Sequence, residues 1–126
     1  MKKIILKSDG SAIRDFIHYS DICDGISKLL DKENFNENTL HFSSSKSISI
    51  LDVASKIKYI YIKRYKSDLP IYINKTEIWN KSVVENNTKN SISNELSKTM
   101  GLDFNTTLEK GIEGLFNYLE KENAKS

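Results

Sequence analysis

Residues 49–73 read Ser49-Ile50-Leu51-Asp52-Val53-Ala54-Ser55-Lys56-Ile57-Lys58-Tyr59-Ile60-Tyr61-Ile62-Lys63-Arg64-Tyr65-Lys66-Ser67-Asp68-Leu69-Pro70-Ile71-Tyr72-Ile73. Ile50, Val53, Ala54, Ile57 and Tyr61 recur every three or four residues, the spacing of one helix face, so the sequence predicts a helix to about residue 65. Ser49 with Asp52 three residues on has capping-box spacing, with Asp in place of the longer Glu. Asp68-Leu69-Pro70 ends the helix, because the proline ring disfavours helical geometry in the residue before it. Ile71-Tyr72-Ile73 follows as a strand.

The same alternation extends to both sides. Towards the N-terminus, Lys3 to Lys7 is a short apolar run closed by the turn signal Ser8-Asp9-Gly10-Ser11. Ala12 to His18 is a second strand, forming either a hairpin with the first or part of a different sheet. Ser20 is placed to cap a helix Asp21–Leu30 whose first turn holds Asp21 and Asp24, with Ile22, Ile26, Leu29 and Leu30 on one face. Lys32 to Asn38 reads as a polar loop and Thr39-Leu40-His41-Phe42 as a short strand.

Beyond residue 73, Lys75 to Asn90 is a polar, irregular excursion anchored by Trp79, Val83 and Val84. A short helix from Ser93 to Met100 stops at Gly101. The last helix begins with Thr106-Thr107-Leu108-Glu109, again at capping-box spacing, and carries Leu108, Ile112, Leu115, Phe116 and Leu119 on one stripe. Short strands alternating with about four helices give the α/β class, with α+β as the neighbouring alternative, in one domain over residues 1–121 followed by a fraying charged tail, 122–126.

Composition narrows the function classes. The 126 residues carry 19 basic and 17 acidic side chains, a formal net charge of +2 that makes no case for nucleic acid or an anionic membrane. The single cysteine, Cys23, excludes a disulfide scaffold and suits a reducing cytosol. Only three apolar residues follow Lys2-Lys3 before the next lysine, too few for a signal peptide or a spanning helix. The four Asn-x-Ser/Thr sequons, at Asn74, Asn80, Asn86 and Asn105, then read as by-products of an Asn- and Ser-rich chain, and the expectation is a cytoplasmic protein.

Three blocks carry a resemblance. Gly10-Ser11-Ala12-Ile13-Arg14-Asp15-Phe16-Ile17-His18-Tyr19-Ser20-Asp21 resembles the Arg-Asp-Phe-Ile-His-Val-x-Asp segment of NAD-dependent nucleotide-sugar epimerases and dehydratases, the extended short-chain dehydrogenase/reductase family. His41-Phe42-Ser43-Ser44-Ser45-Lys46-Ser47-Ile48-Ser49-Ile50-Leu51-Asp52-Val53-Ala54 is similar to that family's Asn-Ile-Gly-Ser-Gly block and the helix start after it. Met100-Gly101-Leu102-Asp103-Phe104-Asn105-Thr106-Thr107-Leu108-Glu109-Lys110-Gly111-Ile112 is similar to its closing Leu-Gly-Trp-x-Pro-x-Thr-Ser-Leu-Glu-Glu-Gly-Ile block. The order and spacing agree over nearly the whole chain, which corresponds to the C-terminal, substrate-side third of such an enzyme without its Rossmann cofactor half.

The resemblance implies that Arg14 meets the diphosphate of a nucleotide-sugar, a task that suits a permanently charged, forked guanidinium. The competing expectation is an ion pair of Arg14 with Asp15 or Asp21. A second arginine, which the family carries upstream of its closing block, has no counterpart around Asn80-Lys81-Ser82. Ser43 and Ser45 stand where the middle block has glycines, and Phe104 where the last has proline.

The family's NAD(P) is expected not to bind this chain alone. None of the glycines at 10, 25, 101, 111 and 114 forms a Gly-x-Gly-x-x-Gly or Gly-x-x-Gly-x-x-Gly turn. Tyr59 and Lys63 have the Tyr-x-x-x-Lys spacing of the family's acid/base pair but follow the Arg-Asp-Phe segment instead of preceding it, so they read as helix surface and no catalytic residue is assigned. His18 and His41 lack metal-ligand spacing, and Cys23 reads as a small buried hydrophobe near the apolar face of its helix.

The basic, tyrosine-rich run Lys56 to Lys66 is the evidence for a rival nucleic-acid reading, against which its apolar spacing argues. The expected partners are a nucleotide-sugar and either a separate Rossmann-half chain or a second copy, attracted by an unpaired edge at Thr39–Phe42, with no nucleic acid and no membrane. A split enzyme, a non-catalytic sugar-nucleotide binder or interaction module, and a vestigial fragment all remain open at this stage.

Overall fold

A computed structural model describes residues 2–31, 39–74, 76–78 and 95–125. Two small sheets and four helices make up the described chain, a mixed α/β arrangement. Strand β1 (Ile4–Leu6) pairs in parallel with β4 (Ile71–Ile73), and β4 pairs antiparallel with β5 (Thr76–Ile78). Strand β2 (Ile13–Asp15) pairs antiparallel with β3 (Ser47–Ser49), with Arg14 opposite Ile48 and Asp15 opposite Ser47. The first two strands therefore belong to different sheets, which decides between the two arrangements left open by the sequence.

Helix α2 (Ile50–Tyr65) spans the predicted segment and ends at Lys66, whose left-handed φ of 52° closes the last turn two residues before the Asp68-Leu69-Pro70 stop. Ser49 caps it: its Oγ accepts the Asp52 N–H at 3.0 Å while its hydroxyl donates to the Asp52 carboxylate at 2.6 Å. The first two amides of α2 are met from outside, Ile50 donating to the Ala12 carbonyl and Leu51 to the Gly10 carbonyl, both at 3.0 Å. That approach is close. Gly10 sits at φ +78°, and a Cβ there would lie 2.8 Å from the Leu51 Cβ.

Helix α4 (Leu108–Lys125) lies along α2 in the same direction, since Lys56 pairs with Glu109 and Arg64 with Glu120 further along both helices. Between them Tyr61, Tyr65 and Phe116 form an aromatic cluster with centroids 4.6–6.2 Å apart. Arg64 binds Glu120 through two parallel donors, Nε at 2.7 Å and Nη2 at 2.5 Å, and also reaches the Asn117 side-chain oxygen. The core comprises Ala54, Ile60 and Tyr61 of α2, Leu69 and Ile71 around the start of β4, Leu102 and Ile112. Helix α3 (Glu95–Thr99) precedes Leu102, which is 1% exposed and the best buried of them.

Several expectations are corrected. Helix α1 (Tyr19–Leu30) starts earlier than Asp21, and His18 caps it instead of Ser20: its Nδ1 accepts the Ser20 N–H at 3.3 Å, leaving Ser20 inside the first turn. Thr39–Phe42 is not a strand, because its polar groups serve elsewhere: the His41 carbonyl accepts from Ser97 Oγ at 2.9 Å and the Phe42 ring packs on Phe104. The unpaired edge expected there does not exist. Within the excursion after residue 74, β5 is ordered against β4, and the left-handed Asn74 (φ 49°) begins the turn between them; Trp79, Val83 and Val84, like the loop 32–38, lie outside the described residues.

On α4 the covered stripe is Leu108, Ile112 and Phe116, while Leu115 and Leu119 are exposed; on α1, Ile26 and Leu30 face out. Helix α4 also continues through the charged tail to Lys125, which pairs with Glu122. Cys23 is exposed, not buried. Among the described residues no helix is long and apolar enough to cross a membrane.

Two measurements test this packing. Gly10→Ala should destabilise the fold by about 1–3 kcal/mol in urea unfolding, from the left-handed φ and the Leu51 contact together. The Arg64 and Tyr65 hydrogen bonds hold the Glu120 carboxyl down at about 2, so its contribution is complete above the ordinary carboxylate range and is lost as pH falls through about 2. The melting temperature of Glu120→Gln should therefore lie below that of the native chain at pH 6, and the gap should close between pH 5 and pH 2. High salt should narrow it too, because the pair is open to solvent.

Candidate functional site

Strand β2 carries Arg14 and Asp15 on opposite faces, since successive side chains alternate across a strand. Asp15 points into the serine loop before β3. Its carboxylate accepts the hydroxyls of Ser43 and Ser44 and the Ser44 N–H, the last at 3.1 Å. Ser45 follows at φ 56°, the left-handed geometry that favours the glycine carried there by the middle block of the resembling family. Of the two serines that replace glycines, Ser43 donates its hydroxyl to Asp15, while the Ser45 N–H donates to Ser43 Oγ at 2.9 Å.

Asp21, 8% exposed, makes the second connection: it accepts the Thr106 N–H at 3.0 Å and the Thr106 hydroxyl at 2.6 Å. Its place in the first turn of α1 sets its charge at the favourable end of the helix dipole. Thr106 is thereby diverted from the capping role its spacing suggested, and Thr107 Oγ1 takes that role by accepting the Lys110 N–H at 3.2 Å. A third connection is apolar. Phe42 and Phe104 meet with centroids 5.2 Å apart and planes tilted by 58°, and both rings press on the helix at Gly25, where an added Cβ would meet them at 3.3 and 3.4 Å.

Both carboxylates proposed as partners for Arg14 are therefore committed elsewhere. Arg14 is exposed, its Nη1 donates only to the Ile13 carbonyl at 2.7 Å, and among the described residues it forms no salt bridge. An available guanidinium stands on the open face of the β2–β3 ribbon.

Just beyond β2 the chain borders an open groove of about 940 Å³ between residues 16–20 and α4. Phe16, Tyr19, Leu115 and Tyr118 line it and are all exposed, Tyr19 by 74%. His18 lies in its wall, with Nδ1 engaged by Ser20 and its Cδ2 edge against Gly111. Sequence reasoning missed this groove because it assigned Leu115 to the packed stripe of α4.

The other candidates separate from this site. Tyr59 and Lys63 both lie on the exposed side of α2. In the basic run, Lys56 is paired with Glu109, Lys58 with Asp68 at 3.1 Å and Arg64 with Glu120, while Tyr61 is buried and the Tyr65 hydroxyl donates to Glu120. Three of its cations and two of its rings thus make contacts within the fold. His41 is exposed, and no cluster of three metal-ligating side chains occurs among the described residues.

Compared with models of known protein families and with curated proteins, the chain matches none.

Asp21 gives this region its test. Asp21→Ala leaves the Thr106 amide without its partner and should cost about 1–3 kcal/mol in urea unfolding. Asp21→Asn, which retains an acceptor, should cost less.

Proposed function

We propose that the chain is a substrate-side module of an NAD-dependent nucleotide-sugar epimerase or dehydratase, in which Arg14 binds the diphosphate of the nucleotide-sugar. The observation that carries this reading is the convergence of the three resembling blocks. Asp15 joins the first block to the second, Asp21 joins the first to the third, and the Phe42–Phe104 contact joins the second to the third. Motif residues scattered by chance would have no reason to be one another's hydrogen-bond partners. Arg14 is left over from this network with its charge available to an anion.

The residues of the chain do not fit the cofactor. Gly10 is occupied by its approach to Leu51, Gly25 by the Phe42 and Phe104 rings, and Gly111 and Gly114 lie within α4, so none of these supplies a turn over a pyrophosphate. Tyr59 and Lys63 are on α2, outside the Arg14 ribbon. On this reading the 126 residues contribute substrate binding, and hydride chemistry belongs to a cofactor-binding half. The groove walled by Phe16, Tyr19, Leu115 and Tyr118 offers an apolar face for such a partner.

Calorimetric titration of the whole chain with a panel of nucleoside-diphosphate sugars tests the reading. Saturable binding is expected, weakened about tenfold or more in Arg14→Ala, as removal of a charge-assisted phosphate contact implies. The melting temperature should be unchanged, because among the described residues the guanidinium hydrogen-bonds only to a carbonyl of its own strand. Absence of binding by the cooperatively folded chain would refute a substrate module.

A further inference from the structure

We infer that Lys46 is the second cation of the anion site, seated beside Arg14 on the open face of the β2–β3 ribbon so that the two bind adjacent phosphates of one diphosphate. This rests on the reading of Arg14 given above and adds to it a residue that the resembling motifs do not assign.

The placement follows from the strand register. Arg14 is the cross-strand partner of Ile48, and paired residues on an antiparallel ribbon project to the same face. Lys46 lies two residues before Ile48, immediately ahead of β3, so the alternation returns it to that face as a diagonal neighbour of Arg14. Diagonal neighbours across such a ribbon stand about 7–8 Å apart, within reach of two long cationic side chains. The intervening residues Asp15 and Ser47 belong to the opposite face, where Asp15 is held by the serine loop.

The charges around Lys46 agree with this position. Glu109, in the first turn of α4, has its carboxyl held below the usual range chiefly by the Lys56 hydrogen bond, with a smaller contribution from the positive charge of Lys46. The ammonium thus lies on the side of Glu109 and the first turn of α4. Glu109 is itself paired with Lys56, and among the described residues Lys46 forms no salt bridge. Its side chain is exposed, like that of Arg14. Two cations side by side, neither in a salt bridge among the described residues, would repel one another, and an anion between them would relieve that repulsion while meeting both. A diphosphate has the required pair of charged groups.

The test is titration of the full chain with inorganic pyrophosphate and with a nucleoside-diphosphate sugar. It compares the native protein with Lys46→Met, Lys46→Arg, Arg14→Ala and, as a control on the exposed side of α2, Lys63→Met. Lys46→Met keeps the aliphatic stem and should weaken both ligands about 5- to 30-fold, Lys46→Arg should restore them to within about threefold, and Lys63→Met should change neither. Thermal melts of all four should match the native chain. If Arg14→Ala weakens binding and Lys46→Met does not, the second cation is wrong while the Arg14 reading stands. Weakening by Lys46→Met without any from Arg14→Ala refutes the shared site and the Arg14 reading together. Failure of the native chain to bind either ligand refutes both as well.

Discussion

A carboxylate removed from water must be met by donors, and Asp21 is met by one residue, Thr106, through both its amide and its hydroxyl. Much of the remaining structure depends on that meeting. It fixes the start of α1 against the chain that leads into α4, so that Phe104 lies over Phe42 and both rings fill the space left by the missing side chain of Gly25. It also commits Thr106, which leaves Thr107 to cap α4 and sets the point from which that helix runs along α2. Helix α4 then presents Ile112 and Phe116 to the core and leaves Leu115 and Tyr118 to wall the groove.

What the sequence revealed and what it concealed follow from the range of the interactions involved. Helix α2 was legible almost to the residue, because its periodicity, its Ser49 cap and its stop are all local signals. Strand β4 was legible for the same reason, though its pairing with β1, across about half of the chain, was not. Thr39–Phe42 has the composition of a strand, yet its backbone carbonyl is taken by Ser97 and its ring by Phe104, both remote in sequence. The caps of α1 and α4 each moved by one or two residues for a related cause: Thr106 had a stronger use at Asp21, and His18 supplied an acceptor that the usual cap residues do not suggest.

The candidate site divides along the same line. Arg14 stood out only through its resemblance to a motif, since composition and periodicity give an isolated arginine no role. Its availability rests on Asp15 and Asp21 being occupied, a fact of tertiary structure. The inferred placement of Lys46 beside Arg14 was unreadable, because it depends on a ribbon register that joins two different motif blocks. The groove was hidden by an assumption that every apolar residue on a helix stripe is packed, and Leu115 is not.

The distribution of cations separates structure from function in this molecule. On α2, the basic residues that first suggested a nucleic-acid surface are drawn into pairs: Lys56 with Glu109, Lys58 with Asp68, and Arg64 with Glu120. Each pair ties α2 to α4 or to its own following turn, and each carboxyl is held below its ordinary range by its partner. A cation so engaged has already exchanged water for a fixed anion, and a ligand would have to compete with that carboxylate for it. Arg14 and Lys46 are different: Asp15 is held by the serine loop, and among the described residues neither cation forms a salt bridge. Much of the clearest charge run in the sequence therefore serves the fold, whereas Arg14 on β2 and Lys46 just ahead of β3, far apart in the chain, form no salt bridge among the described residues.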